Sequence, residues 1–445
     1  MYNIGMVSLG CAKNSTDAEI MLGLLAEDGY GLVDDPNEAD ILIVNTCAFI
    51  DSAKQESIET ILDMAQYKNG KCKLLIVTGC LAQRYRDEVL TEMPEVDYVL
   101  GTGEFDKICE CIKKAFNGKR EAFCENPDRT PDDHLPRILT TPPYTAYLKI
   151  ADGCDNNCTY CAIPKIRGHF RSRTIENILD EAKSLALNGV KELILIAQDT
   201  TRYGKDLYGK YALSDLLDEL VKIDGIEWIR VHYFYPEAVT EELVEVMSKY
   251  DKICNYIDMP VQHGHDNILR RMARRTNQKE ILKKISMIRE KMPDAITRTS
   301  IIVGFPGETE DEFNTLYDFV EQVKFDRMGV FAYSQEEGTA AADFEGQLDD
   351  ETKQDRLDKL MTLQQGISLE LNKNKIGSIL EVLVEGYDEE SFLFYGRSRG
   401  DSIDVDGKVY FGTEEDVCAG DIINVEILDA DEYDLAGRMT ERRIL

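Results

Sequence analysis

Six short apolar segments, each followed by a helical pattern, are the feature that most constrains the fold of this 445-residue chain. The segments cover residues 145–150, 192–197, 228–233, 256–259, 298–303 and 328–332. Strands that alternate with helices predict a parallel sheet, and six repeats over about 190 residues fit a partial TIM-like (β/α)6 barrel. In such barrels the active residues lie on the loops that follow the strands.

The loop after the first of these strands carries three closely spaced cysteines, Cys154, Cys158 and Cys161. Three thiolates within eight residues can hold three irons of a 4Fe-4S cluster and leave the fourth iron open for chemistry. The alternative is zinc, since catalytic zinc also uses three protein ligands. The first histidine after the motif is His169, so the spacing favours a cluster.

Three more cysteines follow strands in the N-terminal region. Apolar segments at 4–9, 41–44, 74–77 and 98–100 alternate with helical patterns and predict a parallel α/β domain. The first three run into Cys11, Cys47 and Cys80. The carboxyl ends of parallel strands form the ligand crevice of such sheets, so these cysteines predict a second metal site. The alternative is three buried core cysteines.

Composition shifts divide the chain into domains. Prolines and charged residues predict a linker at 119–143 between an N-terminal domain (1–118) and the barrel domain (144–372). From 373 to 445, short strands at 379–384, 392–395, 409–411 and 422–428 predict a small antiparallel β-barrel.

Charge and cysteine usage narrow the class of protein. The chain has 51 basic and 83 acidic residues, which gives a net charge of −32. Such a charge repels phosphate backbones and attracts basic partners. The alternative is that the acidic excess serves only solubility. No run of 18 apolar residues and no basic leader appear, so we expect a soluble, cytoplasmic protein. Six further cysteines match no metal-binding or catalytic spacing, and no function is assigned to them: Cys72, Cys109, Cys111, Cys124, Cys254 and Cys418.

The two cysteine trios and their flanking residues resemble the radical S-adenosylmethionine (SAM) methylthiotransferase family over essentially the whole chain. Residues 8–14, 45–50, 161–168 and 197–201 resemble its RimO branch. Family members combine an N-terminal three-cysteine domain, a radical SAM barrel and a C-terminal TRAM domain.

The resemblance implies two 4Fe-4S clusters. One, on Cys154, Cys158 and Cys161, would cleave SAM to a 5'-deoxyadenosyl radical; an auxiliary cluster, on Cys11, Cys47 and Cys80, would hold the sulfur to be delivered. SAM would serve as methyl donor and as radical source. Tyr160 is expected near the SAM adenine, and Gln198 and Asp199 near its amino group, although this chain lacks the Gly-Gly-Glu of other superfamily members there. Gly304 lies in a tight turn where backbone can approach a ligand.

The RimO branch implies an aspartate of small-subunit ribosomal protein S-12 as substrate, with its β-carbon as the site of methylthiolation. An electron donor of the flavodoxin or ferredoxin type is implied, and the sulfur donor is not predicted. Arg167, Arg171 and Arg173 form a basic stripe that predicts a site for the substrate carboxylate, or else a solvated helix approach. The C-terminal region, with 18 acidic and 8 basic residues, makes nucleic acid a poor partner. The alternatives are a transfer-RNA adenosine methylthiotransferase (MiaB or MtaB type) and a non-enzymatic iron-sulfur protein of the translation apparatus.

Overall fold

The computed structural model describes residues 2–130 and 135–442, and its first domain is a parallel sheet covered by helices. The strands are β1 (Asn3–Ser8), β2 (Gly31–Leu32), β3 (Ile41–Thr46), β4 (Leu74–Gly79), β5 (Tyr98–Leu100) and β6 (Glu121–Phe123). The helices are α1 (Ala12–Glu27), α2 (Asp51–Ala65), α3 (Cys80–Tyr85), α4 (Asp87–Glu92) and α5 (Ile108–Phe116). The strand order is β2-β1-β3-β4-β5-β6, with every neighbouring pair parallel.

The central strands of this sheet are continuous apolar runs because both of their faces are covered. All residues of β3 and β4 are buried, as expected for parallel strands between two helical layers. The four predicted strands are confirmed. The short edge strands β2 and β6 were not predicted, and β6 carries the sheet past residue 118 into the segment predicted as a linker. Within that segment, residues 131–134 lie outside the described residues.

The second domain contains all six predicted strands. Its strands are β7 (Thr145–Lys149), β8 (Ala151–Asp152), β9 (Arg171–Ser172), β10 (Glu192–Ile196), β11 (Trp228–Val231), β12 (Tyr256–Asp258), β13 (Ile296–Val303) and β14 (Arg327–Ala332). Its helices are α6 (Ile163–Arg167), α7 (Ile175–Leu187), α8 (Leu213–Leu220), α9 (Glu241–Lys249), α10 (Asp266–Arg271), α11 (Gln278–Lys291), α12 (Glu310–Val323) and α13 (Asp350–Lys373).

These strands form a partial barrel, as predicted. β7-β10-β11 and β12-β13-β14 are parallel sheets, and an isolated parallel bridge joins Ile229 to Ile253 between them. Side chains alternate along β10: Leu193 and Leu195 pack in the core with the helices, while Ile194 and Ile196 belong to a separate cluster with Ile403 of the third domain. The first loop of the barrel, which holds Cys154, Cys158 and Cys161, follows β7 and β8.

The third domain is a closed five-stranded barrel in the order β15-β16-β17-β19-β18. Its strands are β15 (Ile379–Asp388), β16 (Leu393–Ser398), β17 (Val409–Gly412), β18 (Ile422–Ala430) and β19 (Leu435–Arg442). The prediction of a small barrel is confirmed, but a fifth strand was missed and the barrel is not wholly antiparallel, because β17 and β19 pair in parallel. β19 carries polar residues and a glycine, which conceal its strand pattern.

The terminal barrel closes one end of the central barrel through buried charges. Arg230 donates to Glu192 at 3.0 Å and to the Arg399 carbonyl oxygen at 2.8 Å. Arg397 of the terminal barrel donates to the other oxygen of Glu192 at 2.6 Å, and Asp401 accepts from a buried arginine of β14. Glu192 is the first residue of β10. The terminal barrel therefore lies at the amino ends of the strands, opposite the cysteine loop.

The N-terminal domain lies over the opposite end of the central barrel. The Lys13 ammonium is 3.5 Å from the centroid of the Tyr233 ring, which follows β11. Arg84 of α3 pairs with Glu336, which follows β14, at 2.8 Å. Since both partners follow barrel strands, the domain sits on the carboxyl-end face where barrel enzymes place their active residues.

Candidate active site

The N-terminal trio, Cys11, Cys47 and Cys80, lies at one edge of the first sheet, as predicted. Each cysteine follows the carboxyl end of one of the neighbouring strands β1, β3 and β4. Gly10 has a φ of +91°, and a Cβ added there would lie 2.8 Å from the Cys47 Cβ. The turn that presents Cys11 thus rests directly against Cys47, and only glycine leaves room for this approach.

Two asparagines hold the loops of the N-terminal trio together. The Asn14 side-chain amide donates to the Leu9 carbonyl at 2.7 Å and to the Thr46 carbonyl at 3.1 Å. Asn45 donates to the Asn14 carbonyl at 2.8 Å. These residues lie within the segments that resemble the RimO branch, yet they received no predicted role. Their signal is a buried asparagine within three residues of Cys11 and of Cys47, whose amide satisfies backbone groups that the sheet leaves unpaired.

The central trio, Cys154, Cys158 and Cys161, lies on a loop anchored at both ends. The Cys154 amide donates to the Gly168 carbonyl at 3.0 Å, and the Thr159 amide donates to the Met272 carbonyl at 3.1 Å. The strands that bound the loop, β8 and β9, pair antiparallel. Gly153, just before Cys154, has a φ of +78°, and a Cβ there would overlap the His169 carbonyl oxygen.

This geometry predicts that Gly153→Ala prevents the central trio from forming its site. A left-handed φ costs a residue with a Cβ about 1–2 kcal/mol, and the overlap with a carbonyl oxygen adds to it. We expect sharply reduced iron incorporation after anaerobic reconstitution, measured by iron analysis. Gly209→Ala is the matched control, since Gly209 has a φ of +73° and no heavy atom within 4 Å of an added Cβ. Equal iron content in both variants would contradict the steric explanation.

The sulfur of Cys158 lies beside two residues that the sequence analysis did not single out for this site. The Tyr235 hydroxyl is 3.7 Å from the Cys158 Sγ, and Nη1 of the buried Arg274 is 4.0 Å from it. The Arg274 guanidinium also stacks 4.1 Å from the centroid of the Tyr235 ring. Both groups can donate a hydrogen bond to this sulfur when it serves as a ligand.

The four predicted SAM contacts have different surroundings. Tyr160 is partly buried and packs in the apolar cluster that contains Phe305. Gln198 donates to Asp152 at 2.9 Å, while its Oε1 is buried with no hydrogen-bond partner in the described chain. An orphaned carbonyl oxygen of this kind can accept from an amino group of a ligand.

Asp199 and Gly304 both contact other residues of the chain at the positions where SAM contacts were predicted. The carboxylate of Asp199 accepts from Asn156 at 2.7 Å, which supports the cysteine loop, and burial raises its pKa. Gly304 has a φ of +70°, but an added Cβ would meet the side chain of Lys353, so the close approach in this turn is made by α13. Contact of either residue with SAM stays a prediction.

Both interpretations of the predicted basic stripe are wrong for Arg167, whereas for Arg171 and Arg173, which are partly exposed, they stay predictions. Arg167 is buried and pairs with Asp17 at 2.6 Å, so it is neither a solvated residue nor a free carboxylate-binding group. Arg171 pairs with Asp128 at 3.3 Å, and Arg173 pairs with a glutamate of α7. The sequence could not reveal the burial of Arg167, because its partner Asp17 lies 150 residues away.

The donor sets of both trios fit iron-sulfur clusters. Burial raises the pKa of the Cys154 thiol to about 11 and of the Cys80 thiol to about 12, so a metal must displace their protons near neutral pH. In the part of the chain that the structure describes, no three His, Cys, Asp or Glu side chains group closely enough for one metal ion. A 4Fe-4S cluster needs no such grouping, because each thiolate binds a different iron.

Comparison with known proteins matches this architecture along the chain. Residues 3–101 match the model described as uncharacterized protein family UPF0004, residues 148–320 match the radical SAM superfamily, and residues 376–440 match the TRAM domain. Among solved structures, the radical SAM methyltransferase TsrM from Kitasatospora setae has a TM-score of 0.58 at 13% identity, covering 85% of this chain and 80% of that chain. That likeness shows the fold.

No helix in residues 2–130 and 135–442 is long and apolar enough to span a membrane.

Curated relatives cover nearly the full length. The chain is 55% identical to the ribosomal protein uS12 methylthiotransferase RimO of Clostridioides difficile, with 98% of each chain covered. The proteins of the same name from Clostridium perfringens and Clostridium acetobutylicum are 53% and 50% identical, with 98% and 97% of each chain covered. The chain therefore belongs to the RimO family of ribosomal protein uS12 methylthiotransferases, which are radical SAM proteins with a TRAM domain.

Proposed function

We propose that this protein transfers a methylthio group to the β-carbon of an aspartate in ribosomal protein S-12. The observation that carries the proposal is the placement of two cysteine trios, one at the carboxyl edge of the N-terminal sheet and one on the barrel loop beneath it, in a chain of this family. One trio alone would suffice for radical chemistry. A second trio at the same mouth is what delivery of a sulfur atom requires.

The central trio is proposed to bind a 4Fe-4S cluster with SAM on its open iron, and the N-terminal trio to bind a second 4Fe-4S cluster. When bound, these groups supply a 5'-deoxyadenosyl radical, a methyl group and the sulfur to be transferred. The protein's own part is positioning and exclusion of water. Tyr160, Gln198, Asp199 and Gly304 remain the proposed SAM contacts, with the orphaned Gln198 Oε1 best placed to accept from an amino group.

Charge favours a basic protein over nucleic acid as substrate. Two arginines of the terminal barrel, Arg397 and Arg399, are directed at the central barrel, where they bond to Glu192 and to backbone carbonyls. The exposed surface of the terminal barrel includes the acidic residues Glu414, Glu415 and Asp416. Such a surface attracts a basic ribosomal protein and repels the phosphates of transfer RNA.

The remaining assignments follow from this function. A reductant of the flavodoxin or ferredoxin type is proposed to supply the electron for SAM cleavage. A ribosomal substrate places the reaction in the cytoplasm.

The proposed domains are 1–118, 144–372 and 373–445, with a linker at 119–143. Strand β6 extends the first domain to residue 123.

The substrate assignment is tested by a competition experiment. Reconstituted protein is incubated anaerobically with SAM, a reductant, ribosomal protein S-12 and total transfer RNA at physiological salt. We expect the methylthio group on the protein, detected by mass spectrometry of its peptides, and none on nucleosides from the digested RNA. Methylthio transfer to adenosine, with none to the protein, would instead establish the transfer-RNA alternative. A protein with both clusters but no transfer to either substrate would contradict both assignments.

A further inference from the structure

Arg167 connects the two cysteine trios. It ends α6, the helix that begins two residues after Cys161. Its Nη2 lies 3.9 Å from the Cys80 Sγ and 3.2 Å from the Asn14 Oδ1, and its side chain is only 2% exposed. An arginine anchored beside the central trio therefore places an N–H donor on a sulfur of the N-terminal trio.

The charges around Arg167 form a quartet in which Arg167 and Asp17 are buried and Lys149 and Asp152 are partly buried. Arg167 Nη1 lies 2.6 Å from Asp17 and 3.1 Å from Asp152. The Lys149 ammonium contacts the same two carboxylates, at 2.5 Å and 3.2 Å. Asp17 belongs to α1, which begins beside Cys11, whereas Asp152 lies two residues before Cys154. Two positive and two negative charges thus join the segments that carry both trios.

We propose that Arg167 and Asp17 set the reduction potential of the cluster on Cys11, Cys47 and Cys80, Arg167 raising it and Asp17 lowering it. The inference rests on the proposed function, which puts a cluster there. Reduction adds negative charge to a cluster, so a cation and an N–H donor at a ligand sulfur favour the reduced form, and a nearby carboxylate opposes it. Burial leaves these charges weakly screened.

Arginine keeps its charge at any working pH, so its influence on the cluster is permanent. This permanent cation, 3.9 Å from the Cys80 Sγ, therefore acts on the reduction of the N-terminal cluster at every working pH.

The test uses the chain in which Cys154, Cys158 and Cys161 are alanine, so that the signal comes from the N-terminal trio alone. Redox titration followed by electron paramagnetic resonance gives the midpoint potential. At the midpoint of this parent, Arg167→Gln should lower the ratio of reduced to oxidised cluster roughly three- to tenfold, and Asp17→Asn should raise it. Arg167→Lys keeps the charge but not the forked donor, and should fall between Arg167→Gln and the parent.

Opposite shifts separate electrostatic tuning from structural damage. Arg137→Gln is the matched control, because Arg137 also forms a buried ion pair with α1, through Glu19, but pairs on its other side with Glu181; its midpoint should equal the parent's. The inference would be overturned if all variants had the same midpoint potential. It would also be overturned if Arg167→Gln and Asp17→Asn shifted the midpoint potential in the same direction. Should Arg167→Gln fail to load, Arg167→Lys and Asp17→Asn decide by the signs of their shifts. Absence of any cluster in the parent would contradict the proposed function instead.

Discussion

Replacing Cys154, Cys158 and Cys161 together by alanine is expected to abolish formation of 5'-deoxyadenosine, because the iron that binds SAM is lost. Replacing the N-terminal trio, Cys11, Cys47 and Cys80, should leave SAM cleavage measurable but stop methylthio transfer. The two activities are separable because each trio lies on a different domain and is held by its own hydrogen bonds. Chromatography of the reaction products measures both.

Iron analysis gives the same experiment a second readout. We expect about eight irons in the reconstituted protein and about four in each triple variant, as two 4Fe-4S clusters require. A control that replaces three cysteines without a predicted role, Cys72, Cys109 and Cys418, should retain about eight irons and both activities. Undiminished SAM cleavage without the central trio would overturn the assignment of the radical centre.

The largest effect on stability is expected from Glu192→Ala. Glu192 is fully buried and is the shared partner of Arg230 and Arg397, so its removal leaves two buried guanidinium groups without this counter-charge. Removing one partner of a buried ion pair costs about 3–5 kcal/mol. Urea unfolding measures the loss of free energy. Glu385→Ala is the matched control with a smaller effect, because Arg397 would keep its bond to Glu192. Equal losses in the two variants would show that Glu192 has no central role.

The same carboxylate makes a pH prediction. Burial alone would raise the pKa of Glu192, but Arg397 and Arg230 lower it to about 2 from its ordinary value of 4.5. A carboxyl group with a lowered pKa stabilises the folded state fully above its unfolded value, and this contribution fades as the pH falls towards the folded value. The stability difference between the parent and Glu192→Gln should therefore be constant near neutral pH and shrink between about pH 4.5 and 2. A difference that grows on acidification would contradict this ionisation.

The features that could be predicted from the sequence are those that local patterns encode. Apolar runs identify the six barrel strands, and Gly10-Cys11 and Gly153-Cys154 mark turns that present a cysteine after a strand. Residues whose role depends on distant partners could not be identified. Arg167 reads as an exposed basic residue until Asp17, 150 residues away, folds against it.

The terminal barrel illustrates the same limit. Its strand β19 has too few apolar residues to show a period, and its parallel pairing with β17 depends on closure of the barrel. Burial of Arg397 depends on its pairing with Glu192, which is 205 residues away in the sequence. A count of charged residues therefore places the charge of Arg397 on the surface. Long-range pairing of charges is set by the assembled fold, which no local window contains.

The central claim, radical methylthiolation of an aspartate β-carbon, is tested most directly with ribosomal protein S-12 that carries deuterium at the β-carbons of its aspartates. The reconstituted protein is incubated with this substrate, SAM and a reductant, and the nucleoside and peptide products are analysed by mass spectrometry. We predict deuterium in 5'-deoxyadenosine and, in the same reaction, one aspartate that has exchanged a deuterium for a methylthio group. Methylthiolated aspartate with no deuterium in 5'-deoxyadenosine, or deuterium transfer without methylthiolation, would contradict the account.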